Sequence, residues 1–139
     1  MQLLPWFEST ASKFLKQKKH LAHAWWLTGA RGIGKFELGQ FLPASLLVEP
    51  PNELGLDCGR CRACGWVENN AHPDLKYIYP AAMHEQLFTG LEPADKEDKS
   101  QEIRIEQLRA LDDWFYASTH RAGFRVVIFY PAHQINGIT

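Results

Sequence analysis

The sequence predicts an α/β protein of the phosphate-loop type, a mostly parallel sheet with flanking helices. Three observations predict it. A short apolar run, Ala22 to Gly29, leads into the pattern Gly29-x-x-x-x-Gly34-Lys35, and such glycine turns join a strand to a helix. Strand-like and helix-like stretches alternate along the chain, which is the order of parallel strands with crossover helices. "FRVVIFYP" at 124–131 is an unbroken β-branched and aromatic run, as expected of a central strand buried on both faces.

Composition narrows the class. The chain has 139 residues, 45% hydrophobic and 22% charged, which is a globular rather than a disordered composition. The net charge of -1 gives no global basic field for tight DNA binding. No apolar run reaches the roughly 20 residues that a membrane helix needs. The start "MQLLPWFEST" lacks the basic flank and apolar stretch of a signal peptide. A cytoplasmic protein is expected.

The elements follow in order. Pro5 suits the first turn of a helix, where its missing N–H is not needed. Phe7, Ala11, Phe14 and Leu15 recur on one helical face. Lys16, Lys18, Lys19 and His20 close that helix, where cations suit the dipole. A solvated helix end is preferred there over a DNA-facing patch. Residues 24–28 read as a buried strand, with Trp25 and Trp26 on opposite faces, in the core or at an interface rather than as a base-stacking platform. A helix from near Gly34 carries Phe36, Phe41, Leu42, Leu46 and Leu47. Pro43 interrupts it with a kink expected near 39–43, because its ring presses on the carbonyl of Gly39. "DLKYIYP" at 74–80 is a strand with Leu75, Tyr77 and Tyr79 on one face. Residues 81–102 are acidic and aperiodic, and read as a mobile loop. Residues 103–119 read as one helix striped by Ile105, Leu108, Leu111 and Phe115. His23, His84, His120 and His133 are scattered and read as surface or capping residues.

The loop carries the chemistry that the fold allows. Gly29, Gly32 and Gly34 let backbone N–H groups turn inward around phosphate oxygens, with Arg31 between them. Lys35 adds a charge and the following helix its dipole. Hydrolysis is not expected, because two metal anchors are missing; the loop reads either as a passive ATP or ADP site or as a phosphate loop retained only as a fold element. The residue after the lysine normally ligates Mg²⁺ through a hydroxyl, and here it is Phe36. A carboxylate is expected after the later strand, where Tyr130 and Pro131 stand.

"DCGRCRACG" spaces Cys58, Cys61 and Cys64 as C-x-x-C-x-x-C. Three thiolates so spaced can face one zinc ion, although structural zinc takes four ligands. His72, Asp57, Glu49 and Glu53 compete for the fourth place. A knuckle at 57–65 with free thiols is the alternative.

Together, "PWF" at 5–7, "HAWWLTGARGIGK" at 23–35, "CGRCRACGWV" at 58–67, "HPDL" at 72–75, "IRIEQLR" at 103–109 and "HRAGFRVVIFYPAHQIN" at 120–136 resemble the N-terminal AAA+ (RecA-like) module of the delta prime family of bacterial DNA polymerase III, a clamp-loader family. The resemblance covers nearly the whole chain. It implies a non-hydrolysing stator that contacts the ATPase gamma/tau and delta subunits. Through that complex it would help place the sliding clamp on primed DNA. The family's zinc knuckle has a cysteine where this chain has Val48. The family also continues through further segments, so the resemblance implies a truncated module. It implies a five-stranded sheet of order 5-1-4-3-2, in which the strands near 75–79 and 125–130 are neighbours. The strand near 24–28 would then have no partner within the chain. Competing readings are an active P-loop ATPase or kinase, and a small zinc-binding nucleic-acid module. The acids around the cysteines, Glu49, Glu53, Asp57 and Glu68 against Arg60 and Arg62, disfavour the last.

Overall fold

Pro5 opens a tight turn, Pro5–Phe7, that runs directly into α1 (Glu8–Lys16). Glu8 lies in the first turn of α1 and Lys13 and Lys16 in its last, the arrangement the helix dipole favours. The expected face is the buried one: Phe7, Ala11 and Phe14 sink into the core. A second tight turn, Lys18–His20, follows. The computed structural model describes residues 3–47, 61–93, 95–117 and 123–134. The chain divides into two units, Met1–His72 with Arg121–Phe124, and Pro73–His120 with Arg125–Thr139.

In the first unit α2 (Lys35–Leu47) packs Leu38, Phe41, Leu42 and Leu46 against Phe7, Ala11 and Phe14. Every residue from Phe41 to Leu47 is buried, so this half of α2 is enclosed on all sides. Ser45 tolerates that burial because its hydroxyl donates to Phe41 O at 3.0 Å. Pro43 does not end the helix, whose 13 residues run on past it to Leu47. The carbonyl that loses its bond belongs to Gly39, which has no Cβ to obstruct a local adjustment. A short α3 (Arg62–Glu68) follows, burying Ala63, Cys64 and Val67.

Residues 22–30 correct the sequence reading. They are exposed throughout and form no strand. Trp26 is 75% exposed and Trp25 49%, so neither is a core residue. A strand is defined by its ladder, and among the described residues no strand runs beside this segment. Trp25 is held locally instead, edge-on to Phe14 at 5.1 Å, with its Nε1 donating to Ala22 O at 3.1 Å.

In the second unit β1 (Leu75–Ile78) pairs in parallel with β2 (Val126–Phe129), Leu75 opposite Val126 and Ile78 opposite Phe129. The expected neighbours therefore are neighbours. Contrary to expectation, β2 is not buried on both faces. Val126, Val127 and Ile128 are half-buried and Phe129 is exposed, since among the described residues only β1 pairs with it.

The segment read as a mobile loop begins as structure: a turn at Ala81–Met83 and α4 (His84–Leu87). Phe88 is buried, with ring centroids 5.0 Å from Tyr77 and 5.3 Å from Tyr79. One helical turn is too short to show a period, and the aromatic contacts supply its stability instead. The single helix expected over 103–119 is two, α5 (Ile105–Arg109) and α6 (Asp112–Tyr116). Arg104 N–H donates to the Gln107 side chain at 2.9 Å, which starts α5. Leu111 N–H donates to Leu108 O at 3.0 Å, a tightened turn, and Asp112 and Asp113 then open α6. The break lets Leu111 join Ile78 and the fully buried Ile103 in the core of this unit.

Candidate phosphate-loop site

The loop between residues 28 and 35 is built by glycine conformations. Gly32 and Gly34 have φ of 81° and 93°, where a side chain is strained. Gly34 is also sterically committed: a Cβ there would collide with Leu4 Cδ1 and lie 3.4 Å from Phe7 Cε2. Leu38 N–H donates to Gly34 O at 3.1 Å, so α2 grows directly out of the loop. Gly29, Arg31, Gly32, Gly34 and Lys35 thus occupy one continuous turn, with Arg31 exposed to solvent.

Lys35 Nζ donates to Gly29 O at 3.0 Å and to Ala30 O at 2.6 Å. Two of its three donors are therefore spent on the loop's own backbone. A phosphate would have to compete for that ammonium. Phe36 stands at the magnesium position of the pattern and offers no oxygen.

Sequence reasoning missed how the loop is braced. Trp6 Nε1 donates to Ile33 O at 2.9 Å, and Leu4 and Phe7 lie against Gly34. The turn before α1 thereby props the loop from one side. The signal was the run Pro5-Trp6-Phe7, which a helical reading explained by its period alone.

Of the three cysteines, Cys61 and Cys64 are described and come together. Their Sγ atoms are 3.4 Å apart, and Cys64 N–H points to Cys61 Sγ at 3.5 Å. Cys61 caps α3 and Cys64 is buried. The spacing therefore does converge two sulfurs. Cys58, Val48, Glu49, Glu53 and Asp57 lie outside the described residues. Among the described residues no group of three or more His, Cys, Asp or Glu is placed to hold a metal. His72 is buried, 5.7 Å from the Trp66 ring and edge-on to it.

Two further buried polar groups were not foreseen. His84, read as a surface residue, is buried between Tyr79 and Leu91. Its Nε2 is 2.9 Å from Leu91 O, which can only accept, so Nε2 carries the proton and Nδ1 accepts from the Tyr79 hydroxyl at 2.6 Å. Burial pushes the Tyr79 hydroxyl above the usual tyrosine range. Arg125 lies 4.8 Å over the Trp114 ring, donates to Phe115 O at 2.9 Å, and approaches the fully buried Asp74 at 3.8 Å. This cluster ties β2 to α6 and is structural.

Comparison with known proteins places the chain. The family described as "DNA polymerase III, delta subunit" matches residues 8–137. DNA polymerase III subunit delta' of Pseudomonas aeruginosa is 31% identical over 134 residues, covering 96% of this chain and 35% of that protein. Subunit delta' of Buchnera aphidicola subsp. Acyrthosiphon pisum is 25% identical over 132 residues, 91% of this chain and 34% of that protein. Subunit gamma of Buchnera aphidicola subsp. Schizaphis graminum is 24% identical over 114 residues, 82% of this chain and 26% of that protein. The chain belongs to the DNA polymerase III delta subunit family. Within it the chain is delta prime-like, and it spans about a third of the length of the delta' relatives.

Proposed function

We propose that this chain is part of a non-hydrolysing, stator-like subunit of a bacterial clamp loader, built on an AAA+ module. It would act with the ATPase gamma/tau and delta subunits when the sliding clamp is placed on primed DNA. Membership of the DNA polymerase III family supports the assembly. The observation that carries the non-hydrolysing role is the pair Lys35 and Phe36. The lysine is held by its own loop carbonyls, and the residue after it has no oxygen for magnesium. Phosphoryl transfer needs that metal to neutralise charge developing between the phosphates.

The loop then serves as a brace between the Trp6 turn and α2, and any ATP or ADP it takes up stays intact. The test is steady-state phosphate release with Mg-ATP alongside assembly with purified gamma and delta subunits. Assembly with no release above buffer is expected. Release that disappears in Lys35→Ala would overturn the reading and favour an active ATPase.

Zinc belongs to the same proposal. Cys61 and Cys64 supply two converging thiols, with Cys58 the third by spacing. Zinc held there would tie the start of α3 to the segment before it. Metal analysis of chelator-free protein should give near one zinc per chain, lost in Cys61→Ala.

A further inference from the structure

Cys61 and Cys64 meet in a way that a capping role does not require. The residue before α3 needs one acceptor for a helix N–H group, and Cys61 Sγ takes that place with Cys64 N–H at 3.5 Å. The Cys64 side chain has no part in that cap, yet its Sγ lies 3.4 Å from Cys61 Sγ. The two sulfurs differ in access. Cys64 is 3% exposed and packs with Ala63, whereas Cys61 is half-buried. Packing alone would be met at position 64 by any small apolar residue.

We propose that Cys61 and Cys64 form a redox-active dithiol that exchanges with small disulfides of the glutathione class. Cys61 is the attacking residue, because a reagent reaches it first, and Cys64 resolves. The Cys61 sulfur, having given up its proton, attacks one sulfur of glutathione disulfide. That S–S bond breaks, and one glutathione leaves and takes up the proton. The Cys64 sulfur, deprotonated in turn, attacks the Cys61 sulfur of the mixed disulfide, and the second glutathione leaves as a thiol. The dithiol thus loses two electrons and two protons, and glutathione disulfide gains both. The closing step moves the sulfurs from 3.4 Å to bonding distance, about 1.4 Å of approach, which side-chain rotation supplies. In a reducing compartment such a pair is oxidised transiently and reports redox state. The same sulfurs serve the zinc reading, and the two uses exclude each other. The exchange does not depend on that reading.

The test treats the chain with glutathione disulfide after metal is removed by a chelator, with intact mass and thiol alkylation as readouts. A Cys58→Ser background leaves Cys61 and Cys64 as the reacting pair. That protein should lose about 2 Da and both alkylatable thiols, and recover them with dithiothreitol. Adding Cys64→Ser should stop the reaction at a mixed disulfide on Cys61, a gain of about 305 Da. Adding Cys61→Ser instead keeps an oxygen at the cap, and the buried Cys64 should then take up glutathione about tenfold more slowly or less. In denaturing urea the two single-cysteine proteins should react at equal rates, which marks the contrast as a property of the fold. No loss of 2 Da, a mixed disulfide that persists with both cysteines present, a disulfide-linked dimer as the main product, or equal rates in the folded single-cysteine proteins would overturn the proposal. Zinc content is measured separately before chelation, so a failure of the zinc reading leaves this result distinct.

Discussion

Gly34→Ala tests the loop geometry most directly. Gly34 has φ of 93°, and forcing an L-residue into that half of the map costs about 1–2 kcal/mol. The added methyl also meets Leu4 Cδ1 and presses on Phe7 at 3.4 Å. Leu4 Cδ1 is the end of a flexible side chain and can move, so overpacking adds about 1 kcal/mol rather than more. The sum is a loss of about 2–3 kcal/mol. Urea unfolding measures it as a lower midpoint with an unchanged slope. Gly34→Ala combined with Leu4→Ala separates the two causes: it should recover the packing part and keep the backbone part. A Gly34→Ala protein within about 0.5 kcal/mol of the parent, the range of a surface change, would refute the conformation assigned to this turn.

Other outcomes follow from the same structure. Phe36→Thr alone should not create ATPase activity in a phosphate-release assay, because Tyr130 and Pro131 still leave the second metal anchor without a carboxylate. Ile103→Ala, at a fully buried site, should cost about 2–5 kcal/mol in denaturant unfolding. Tyr79 holds its proton more tightly when folded than when unfolded. Its contribution to stability is therefore constant below pH about 10 and falls as pH rises beyond that ordinary value. Tyr79→Phe should remove that alkaline decline while costing about 1–3 kcal/mol at neutral pH for the orphaned His84 Nδ1, both read by unfolding at a series of pH values.

Local signals were enough for much of the chain. The α1 face Phe7, Ala11 and Phe14 was set by a period that the helix itself imposes. The glycine pattern placed the loop because only glycine adopts Gly32 and Gly34 backbone angles cheaply, and the loop grows into α2 by local hydrogen bonding. The C-x-x-C spacing brought Cys61 to Cys64 because one helical turn separates them. β1 and β2 were legible as strands from their β-branched and aromatic content.

What the sequence alone left undecided depends on partners distant along the chain. Whether 22–30 is a strand rests on a ladder, and backbone hydrogen bonds to another strand leave no mark on Trp25 or Trp26. The burial of β2 was overestimated for the same reason, since composition reports what a face tolerates and not what covers it. His84 is buried only because Tyr79 and Leu91 meet its two nitrogens, and Trp6 braces the loop only because Ile33 O comes within 2.9 Å of it. Lys18 Nζ lies 6.0 Å from the centre of the Phe124 ring, more than 100 positions along the chain, so only the tertiary structure could bring the two together.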